Sequence, residues 1–223
     1  MEFLMNKSPL LQVQDFDWHF GGNPVLEHLD REVGSGEFRV VRGPSGAGKT
    51  TLLRAISGIL PLEQQKIFWR GKDLGAWSAR ERRKFRAELG ILVQDEILFE
   101  GVRVGEYLAV GFEMQGLGRE IAAVSVKKIL AEREIGELRD RMLETLSRSE
   151  KKLVQFLRVV LQNPGILILD EPTMGLDVEL TRKILDWLVT KNLQLKKTVV
   201  LATVDGHLAD FLGEQGAKIL DLG

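Results

Sequence analysis

The sequence predicts an α/β fold whose parallel sheet is covered by helices on both faces. Two apolar runs, residues 166–169 and 199–201, are continuous rather than alternating, which is typical of strands buried on both sides. Residues 179–195 lie between them and have helical spacing, as expected for a crossover between parallel strands. A third predicted strand runs directly into a glycine-rich segment that begins at residue 43.

The remaining elements follow from periodicity and composition. Apolar residues alternate with polar ones or form short runs in the third strand, at residues 38–41, and in three further strands, at residues 11–14, 66–72 (with a glycine turn) and 91–93. Helical spacing predicts a helix over residues 49–60 and a helical region over residues 96–160, and the family resemblance described below implies a basic helix over residues 79–86. We interpret the paired charges of that last region as a solvated helix surface.

Composition excludes several function classes. The 223 residues suffice for one large α/β domain or two small ones, and they include 31 basic and 32 acidic residues, for a formal charge of −1. This balance gives no electrostatic reason to expect a nucleic-acid partner. Because the chain has no cysteine, disulfides and thiol chemistry are excluded, and the cytosol is the simplest compartment. No apolar run approaches the ~20 residues that span a bilayer, and the first seven residues do not resemble a signal peptide.

The glycine-rich segment, here called the phosphate loop (residues 43–51), matches the pattern G-x-x-x-x-G-K-[ST]. Its glycines allow backbone N–H groups to surround phosphate oxygens, Lys49 adds a charge near the β and γ phosphates, and the Thr50 hydroxyl can bind Mg²⁺. The alternative is a glycine turn that caps a helix. We predict that nucleotide is bound by Gly43, Pro44, Ser45, Gly46, Ala47, Gly48, Lys49, Thr50 and Thr51.

Later segments have the order and spacing of one family, so that the chain resembles, over essentially its whole length, the nucleotide-binding domains of ATP-binding-cassette (ABC) ATPases. Residues 166–170, which end in Asp170 and precede Glu171, resemble the Walker B strand and the catalytic glutamate. Gly175-Leu176-Asp177 resembles the loop that crosses the dimer interface, the D-loop. Gln94 has the place of the Q-loop glutamine, and Phe20 that of the aromatic residue that stacks on adenine.

The resemblance implies a role for each of these residues. Asp170, Gln94 and Thr50 are expected to contact Mg²⁺, and Glu171 to orient or deprotonate the attacking water. Asp177 is expected at the dimer interface. Each assignment has an ordinary alternative: Gln94 as a polar residue at a strand end, and Phe20 as a core or edge aromatic residue.

The resemblance also implies a P-loop NTPase fold with a RecA-like core, an N-terminal antiparallel β subdomain and an inserted α-helical subdomain. Residues 1–94 and 160–223 would form the ATP-binding core with the β subdomain, and residues 95–159 the helical subdomain. Within the family, residues 66–107 are most similar to the FtsE, LolD and MacB group, whose members drive membrane partners in cell division, lipoprotein release or export.

One departure from the family concerns its signature, Leu-Ser-Gly-Gly-Gln or -Glu. The corresponding segment here, called the signature-like segment, is Leu146-Ser147-Arg148-Ser149-Glu150. Ser147 and Glu150 keep a capping-box pattern, so a helix is expected to begin here, as any helix with this pattern would. Arg148 and Ser149 place side chains where backbone approaches the γ-phosphate of the second subunit, and we expect a weakened contact rather than an arginine finger.

A second departure concerns the switch histidine, which follows the strand at residues 198–203 in the family. Val204 stands there instead, and valine cannot donate a hydrogen bond to phosphate or water. We expect His207, three residues later, to be an ordinary exposed histidine. Because ABC domains pair head to tail, no pairing gives a complete site that contains this chain. The hypothesis is therefore tight ATP binding, retained Mg²⁺ binding and slow turnover.

The resemblance implies an ATPase subunit on the cytoplasmic side of the inner or plasma membrane. Its expected partners are a permease-like transmembrane subunit and a second ABC domain. An alternative is a structural or regulatory subunit that binds ATP with little or no hydrolysis. A non-transport ABC protein acting on DNA or ribosomes is disfavoured, because the sequence contains no basic patch, zinc module or second cassette.

Overall fold

The computed structural model describes residues 9–93, 100–132 and 134–222. These residues form nine β-strands: Leu11–Phe20 (β1), Asn23–Val33 (β2), Phe38–Arg42 (β3), Ile67–Trp69 (β4), Lys72–Asp73 (β5), Leu89–Leu92 (β6), Ile166–Asp170 (β7), Thr198–Thr203 (β8) and Lys218–Asp221 (β9). They also form seven α-helices: Lys49–Ile56 (α1), Ala79–Ala87 (α2), Val104–Glu113 (α3), Arg119–Glu132 (α4), Arg148–Leu161 (α5), Val178–Leu195 (α6) and Gly206–Glu214 (α7).

A five-stranded parallel sheet forms the centre of the molecule, with strand order β6-β7-β8-β3-β9. All residues of β7 and β8 are buried, which explains why their sequences are continuous apolar runs. Arg42 of β3 pairs with Thr203 of β8, and Asp170 of β7 pairs with Ala202. The carboxyl ends of these three strands therefore meet at one edge of the sheet, where ligands bind in open α/β folds.

A second, antiparallel sheet has the order β2-β1-β4-β5. The sequence pattern predicted a single strand with a glycine turn at residues 66–72, and the structure shows a hairpin, β4 and β5, that turns through Arg70 and Gly71 at positive φ. Strands β2 and β9 and helix α7 were not predicted. The α/β prediction, with a parallel sheet and a separate antiparallel sheet, is confirmed.

Helix α3 packs on both α4 and α5, and α5 also contacts β6 of the parallel sheet. Short 3₁₀ helices at Gly136–Leu138 and Leu143–Thr145 connect α4 to α5. Helix α1 is shorter than predicted and ends at Ile56, because Gly58 takes a left-handed conformation. Within the described ranges, no helix has both the length and the hydrophobicity needed to cross a bilayer. The division into core and helical subdomains at residues 95 and 159 stays a prediction.

Candidate functional site

The phosphate loop follows β3 at the carboxyl edge of the parallel sheet, and two of its glycines are required by close contacts. A Cβ atom on Gly43 would lie 2.2 Å from the carbonyl oxygen of Leu222, just after β9. A Cβ atom on Gly48, at φ +87°, would lie 2.7 Å from Leu26 Cδ2 on β2. Gly46 also has positive φ, but a Cβ atom there would meet nothing within 4 Å among the described residues. The space next to Gly46, which lines the cleft described below, is therefore free for a ligand.

Helix α1 begins at Lys49, and its N-terminal backbone groups are available to a ligand. The N-cap residue is Gly48, so no side-chain oxygen within the described chain caps the first-turn N–H groups. The Lys49 side chain is buried, with Nζ donating to the carbonyl oxygens of Gly43 at 2.9 Å and Pro44 at 2.8 Å. A lysine ammonium and the positive end of a helix therefore converge on the loop, which suits an anionic ligand.

Asp170, the last residue of β7, faces the start of α1. The Thr50 hydroxyl donates to Oδ2 of Asp170 at 2.7 Å. The other carboxylate oxygen, Oδ1, is buried and has no hydrogen-bond partner among the described residues. Burial raises the pKa of Asp170, and the hydrogen bond from Thr50 and the nearby cations oppose that shift only in part. A buried carboxylate oxygen without a partner is costly, so it indicates a ligand position.

Glu171 follows directly and is also buried, with 5% of its surface exposed. Its backbone has φ 49°, a left-handed conformation that is rare outside glycine and is concentrated at functional sites. Burial raises the pKa of its carboxyl group. The charge of Lys49, a hydrogen bond with the Thr203 side chain and one with the Val204 backbone oppose this shift. A carboxylate with a raised pKa beside a lysine suits a general base.

The loop, Lys49 and Glu171 border one cleft of about 310 Å³. Two apolar side chains, Met174 and Val204, lie on its Glu171 side, and Val25 of β2 lies on the loop side. The lining residues are Val25, Ser45, Gly46, Gly48, Lys49, Thr50, Thr51, Glu171, Met174 and Val204. The cleft thus joins a cationic phosphate-loop wall to one carboxylate and an apolar rim.

The residues at this cleft fit a magnesium-bound phosphate group. Mg²⁺ prefers oxygen ligands, and the hydroxyl of Thr50 lies beside the buried Oδ1 of Asp170. Phosphate oxygens match the uncapped N–H groups of α1 and the ammonium of Lys49. Thr50 and Asp170 are therefore the residues that would hold the ion.

The sequence-predicted binding residues divide into those at the cleft and those elsewhere. Ser45, Gly46, Gly48, Lys49, Thr50 and Thr51 line it, while Pro44 and Ala47 form the turn behind it, with the Ala47 N–H donating to the Pro44 carbonyl at 3.2 Å. Phe20 ends β1 and is 78% exposed, outside the set that lines the cleft. Gln94 lies outside the described residues.

The signature-like segment forms the start of α5. The capping box predicted from sequence is present, because Ser147 Oγ accepts from the Glu150 N–H at 3.2 Å and Glu150 accepts from the Ser147 N–H at 2.7 Å. Residues 147–150 are absent from the set lining this chain's described cleft. Arg148 is exposed, and Ser149 Oγ donates to the Gly175 carbonyl oxygen at 2.9 Å.

Two further sequence-predicted positions have clear structural settings. Asp177 is the N-cap of α6 and accepts from the Leu180 N–H at 2.8 Å, so its observed role is to cap a helix. Val204 follows β8 and reaches the cleft, in the place where the family pattern predicts histidine. His207 is exposed on α7, as expected.

Sequence reasoning missed three contributors to the candidate site, Thr203, Val25 and Met174, as well as the backbone contact of Val204. Thr203 and the backbone of Val204 hydrogen-bond Glu171, while Val25 and Met174 supply apolar surface. These residues belong to no motif, and only the pairing of β8 with β7 brings Thr203 close to Glu171. Val25 lies on β2, a strand that the sequence pattern did not predict.

Comparison with known proteins identifies the family. The family model described as ABC transporter matches residues 26–174. The methionine import ATP-binding protein MetN of Clostridium acetobutylicum is 33% identical over 213 residues, covering 94% of this chain and 66% of that protein. An ABC transporter ATP-binding protein of Mycobacterium tuberculosis is 31% identical over 225 residues, covering 97% of this chain and 91% of that protein. The chain spans only 53–66% of the length of its MetN relative and of two iron-import relatives named FbpC.

Solved structures agree with this fold. CbiO1 from Clostridium perfringens, part of the ABC transporter complex CbiONQ, matches with a TM-score of 0.73 at 30% identity, covering 88% of this chain and 79% of that one. The dimeric ATP-binding cassette MJ0796, bound to ADP and Pi after hydrolysis, matches with a TM-score of 0.82 at 23% identity, covering 95% and 94%. The fold is therefore that of ABC cassettes, as the motifs predict. Placement in the FtsE, LolD and MacB group stays a prediction.

Proposed function

Since the chain belongs to the ABC transporter family, we propose that it is the Mg-ATP-binding subunit of a membrane complex and hydrolyses ATP slowly. One observation carries the proposal: Lys49, Thr50 and Glu171 line one cleft at the uncapped start of α1, and Asp170 accepts a hydrogen bond from Thr50 beside it. Each group has a chemistry that a magnesium-bound triphosphate requires. The family match makes a nucleotide the natural ligand of this arrangement.

Each residue has a defined role in the proposal. The N–H groups of the phosphate loop and Lys49 hold the phosphates, while Thr50 and Asp170 hold Mg²⁺. Bound Mg²⁺ would neutralise charge that develops on the β and γ phosphates. Glu171 accepts a proton from the attacking water and orients it. Phe20 and Gln94 keep the adenine-stacking and Mg²⁺-contacting roles that the family resemblance gives them.

Slow turnover follows from the apolar rim of the cleft. Val204 lies where a histidine would hydrogen-bond the γ-phosphate or the water, and its side chain has neither a donor nor an acceptor. Arg148 and Ser149 stand in place of signature glycines. Because these departures weaken the groups that act on the γ-phosphate, we also consider a second candidate: a subunit in which ATP binding matters and hydrolysis does not.

The Glu171→Gln variant separates the two candidates. We expect Mg-ATP binding, measured by isothermal titration calorimetry, to stay within about twofold of wild type, because the phosphate loop and Mg²⁺ ligands are intact. Single-turnover release of γ-phosphate should fall at least about 100-fold, the range of a lost general base. Glu120→Gln on the exposed face of α4 is the matched control and should match wild type in both measurements.

Other results also have definite meanings. Phosphate release by wild type no higher than background would contradict hydrolysis at this site and favour the ATP-binding structural subunit, and equal release by both proteins above background would contradict the role of Glu171 as general base. Failure of wild type to bind Mg-ATP would overturn both candidates. A turnover rate of the purified chain within the usual enzymatic range, about 1–10³ s⁻¹, would overturn slow hydrolysis.

The proposed partners are a permease-like transmembrane subunit and a second ABC domain bound head to tail, with Asp177 and the signature-like segment at the shared interface. The proposed location is the cytoplasmic face of the membrane that holds the permease. Native mass measurement of the complex purified in detergent with Mg-ATP tests this composition. Recovery of the chain only as a soluble monomer would count against it.

A further inference from the structure

Ser149 makes a hydrogen bond that the family's usual glycine cannot make. Its Oγ donates to the carbonyl oxygen of Gly175 at 2.9 Å, and the two residues are far apart in sequence. The side chain of Arg148 passes over the same glycine, since a Cβ atom on Gly175 would lie 4.0 Å from Arg148 Nε. The first turn of α5 is thus fastened to the segment between β7 and α6.

That segment, here called the Glu171 turn (residues 171–177), begins at the proposed general base. Its residues are joined by short-range hydrogen bonds, from the Met174 N–H to the Glu171 carbonyl at 3.3 Å and from the Leu176 N–H to the Thr173 carbonyl at 3.1 Å. Glu171 has φ 49° and Gly175 has φ +80°, so two left-handed residues set its path. Movement at Gly175 would therefore change the backbone that holds the Glu171 carboxylate.

The other end of the contact is a firmly built helix. Ser147 and Glu150 form the capping box of α5, and Glu150 also accepts from Arg141 at 2.5 Å. Buried residues continue along α5 from Lys152 to Leu161. The hydroxyl of Ser149 therefore connects the Glu171 turn to an anchored element rather than to a loose loop.

We propose that Ser149 is a positioning residue for Glu171: its hydroxyl holds the Glu171 turn against α5 and thereby fixes the carboxylate at the cleft. This inference rests on the proposed function, because it assigns Glu171 the role of general base. It also reinterprets one departure from the family pattern, since Ser149 adds a link within the chain that a glycine lacks. ATP binding depends on the phosphate loop, so the link affects the reaction rather than affinity.

The test compares Ser149→Ala and Ser149→Gly, which remove the hydroxyl, with Ser149→Thr, which keeps it. Ser125→Ala on α4 is a matched loss of a serine hydroxyl elsewhere. Hydrogen–deuterium exchange without nucleotide should show amides of residues 173–177 exchanging about fivefold faster in the first two variants, as expected for the loss of one hydrogen bond. Ser149→Thr and Ser125→Ala should match wild type.

Single-turnover kinetics then separates positioning from a general structural effect. In Ser149→Ala and Ser149→Gly the rate of phosphate release should fall about three- to tenfold, while the Kd for Mg-ATP stays within about twofold, because only the reacting geometry changes. Ser149→Thr should restore the rate. The unfolding midpoint, measured in parallel, identifies any variant whose loss comes from misfolding.

Three results would overturn the inference: equal exchange at residues 173–177 in Ser149→Ala and wild type, an unchanged rate in both hydroxyl-free variants, or a Kd change as large as the rate change. The last two results require that wild type binds Mg-ATP and releases phosphate. Absence of ATP binding in wild type would instead refute the proposed function, so the two failures are distinguishable. The exchange measurement stands in either case, because it needs no nucleotide.

Discussion

The phosphate loop and the signature-like segment both lie at the start of a helix, yet the fold constrains them very differently. Gly43 and Gly48 are packed against Leu222 and Leu26, and Lys49 is buried. In the signature-like segment, Arg148 is exposed, and its Nε would lie 4.0 Å from a Cβ atom on Gly175 of the Glu171 turn. The loop matches the family motif at every fixed position, whereas the signature-like segment departs from it at two.

This difference teaches where substitution is tolerated. A change in the phosphate loop disturbs packing and ligand contacts together, because the same atoms serve both. A change at Arg148 or Val204 leaves the core intact and alters what the surface offers to a ligand or partner, and a change at Ser149 removes its hydrogen bond to the Glu171 turn without opening the core. Departures from the family pattern are therefore expected outside the phosphate loop, and Arg148, Ser149 and Val204 all lie there.

Loss of the Lys49 ammonium should have the largest effect on ligand binding. In Lys49→Ala we expect the Kd for Mg-ATP to rise at least about 100-fold, because a charge-assisted contact and the order of the loop carbonyls are lost together. Isothermal titration calorimetry measures it, with exposed Lys127→Ala on α4 as control. Unchanged affinity would show that the loop is not the binding element and would remove the basis of the comparison.

Glycine substitutions sharpen the distinction within the loop. Gly43→Ala should lower the free energy of unfolding by about 3 kcal/mol, because its Cβ would press on the Leu222 carbonyl. Gly46→Ala should lower it by only about 1 kcal/mol, from positive φ alone, while weakening ATP binding. Urea denaturation measures both. Equal destabilisation by the two variants would contradict the packing argument.

Replacing Val204 by the family's histidine tests the positions outside the phosphate loop. Val204→His should raise single-turnover phosphate release about tenfold with little change in stability, because the position is half-exposed and borders the cleft. Val204→Ala is the control and should remain at the wild-type rate. A drop in rate for Val204→His would mean that the apolar rim itself supports the reaction.

The smallest effect concerns pH and Asp170. Burial raises the pKa of this carboxyl group in the folded chain, so ionisation opposes folding, and stability should decline as pH rises through that pKa. Asp170→Asn should remove the part of this decline that Asp170 causes, leaving the part from Glu171, and should raise the unfolding midpoint by a few degrees near about pH 8. Thermal unfolding without nucleotide between about pH 5 and about pH 8 measures it. An unfolding midpoint lower for Asp170→Asn than for wild type near about pH 8 would contradict the predicted direction of the effect.

Much of the fold follows from local sequence, and β2 shows where this fails. Continuous apolar runs identified β7 and β8 because both strands are buried on two sides. In β2 the buried residues are Leu26, Leu29 and Val33, whose spacing of three and four is that of a helix. An irregularity in the pairing of β1 with β2, next to left-handed His28, produces that spacing, so periodicity cannot reveal the strand.

The candidate site likewise contains residues that the sequence reveals and contacts that it does not reveal. Lys49, Thr50, Asp170 and Glu171 were found from motifs, since their chemistry fixes residue type and spacing. The contacts of Glu171 with Thr203 and the Val204 backbone depend on which strands are neighbours, and the Ser149 hydroxyl contact depends on the path of the Glu171 turn. Such pairings join distant parts of the chain, and one sequence contains no signal for them.

The N-cap residue of α1 is Gly48, which has no side chain to cap the helix, and this affects stability as well as ligand binding. The first amides of this helix lack a side-chain cap, so the nucleotide of the proposed function would complete the helix and stabilise the folded chain. With free ATP about a hundred times above its Kd, mass action adds about 2.7 kcal/mol to the unfolding free energy. Resistance to proteolysis would then rise and fall with the ATP concentration, coupling the abundance of the protein to the supply of ATP.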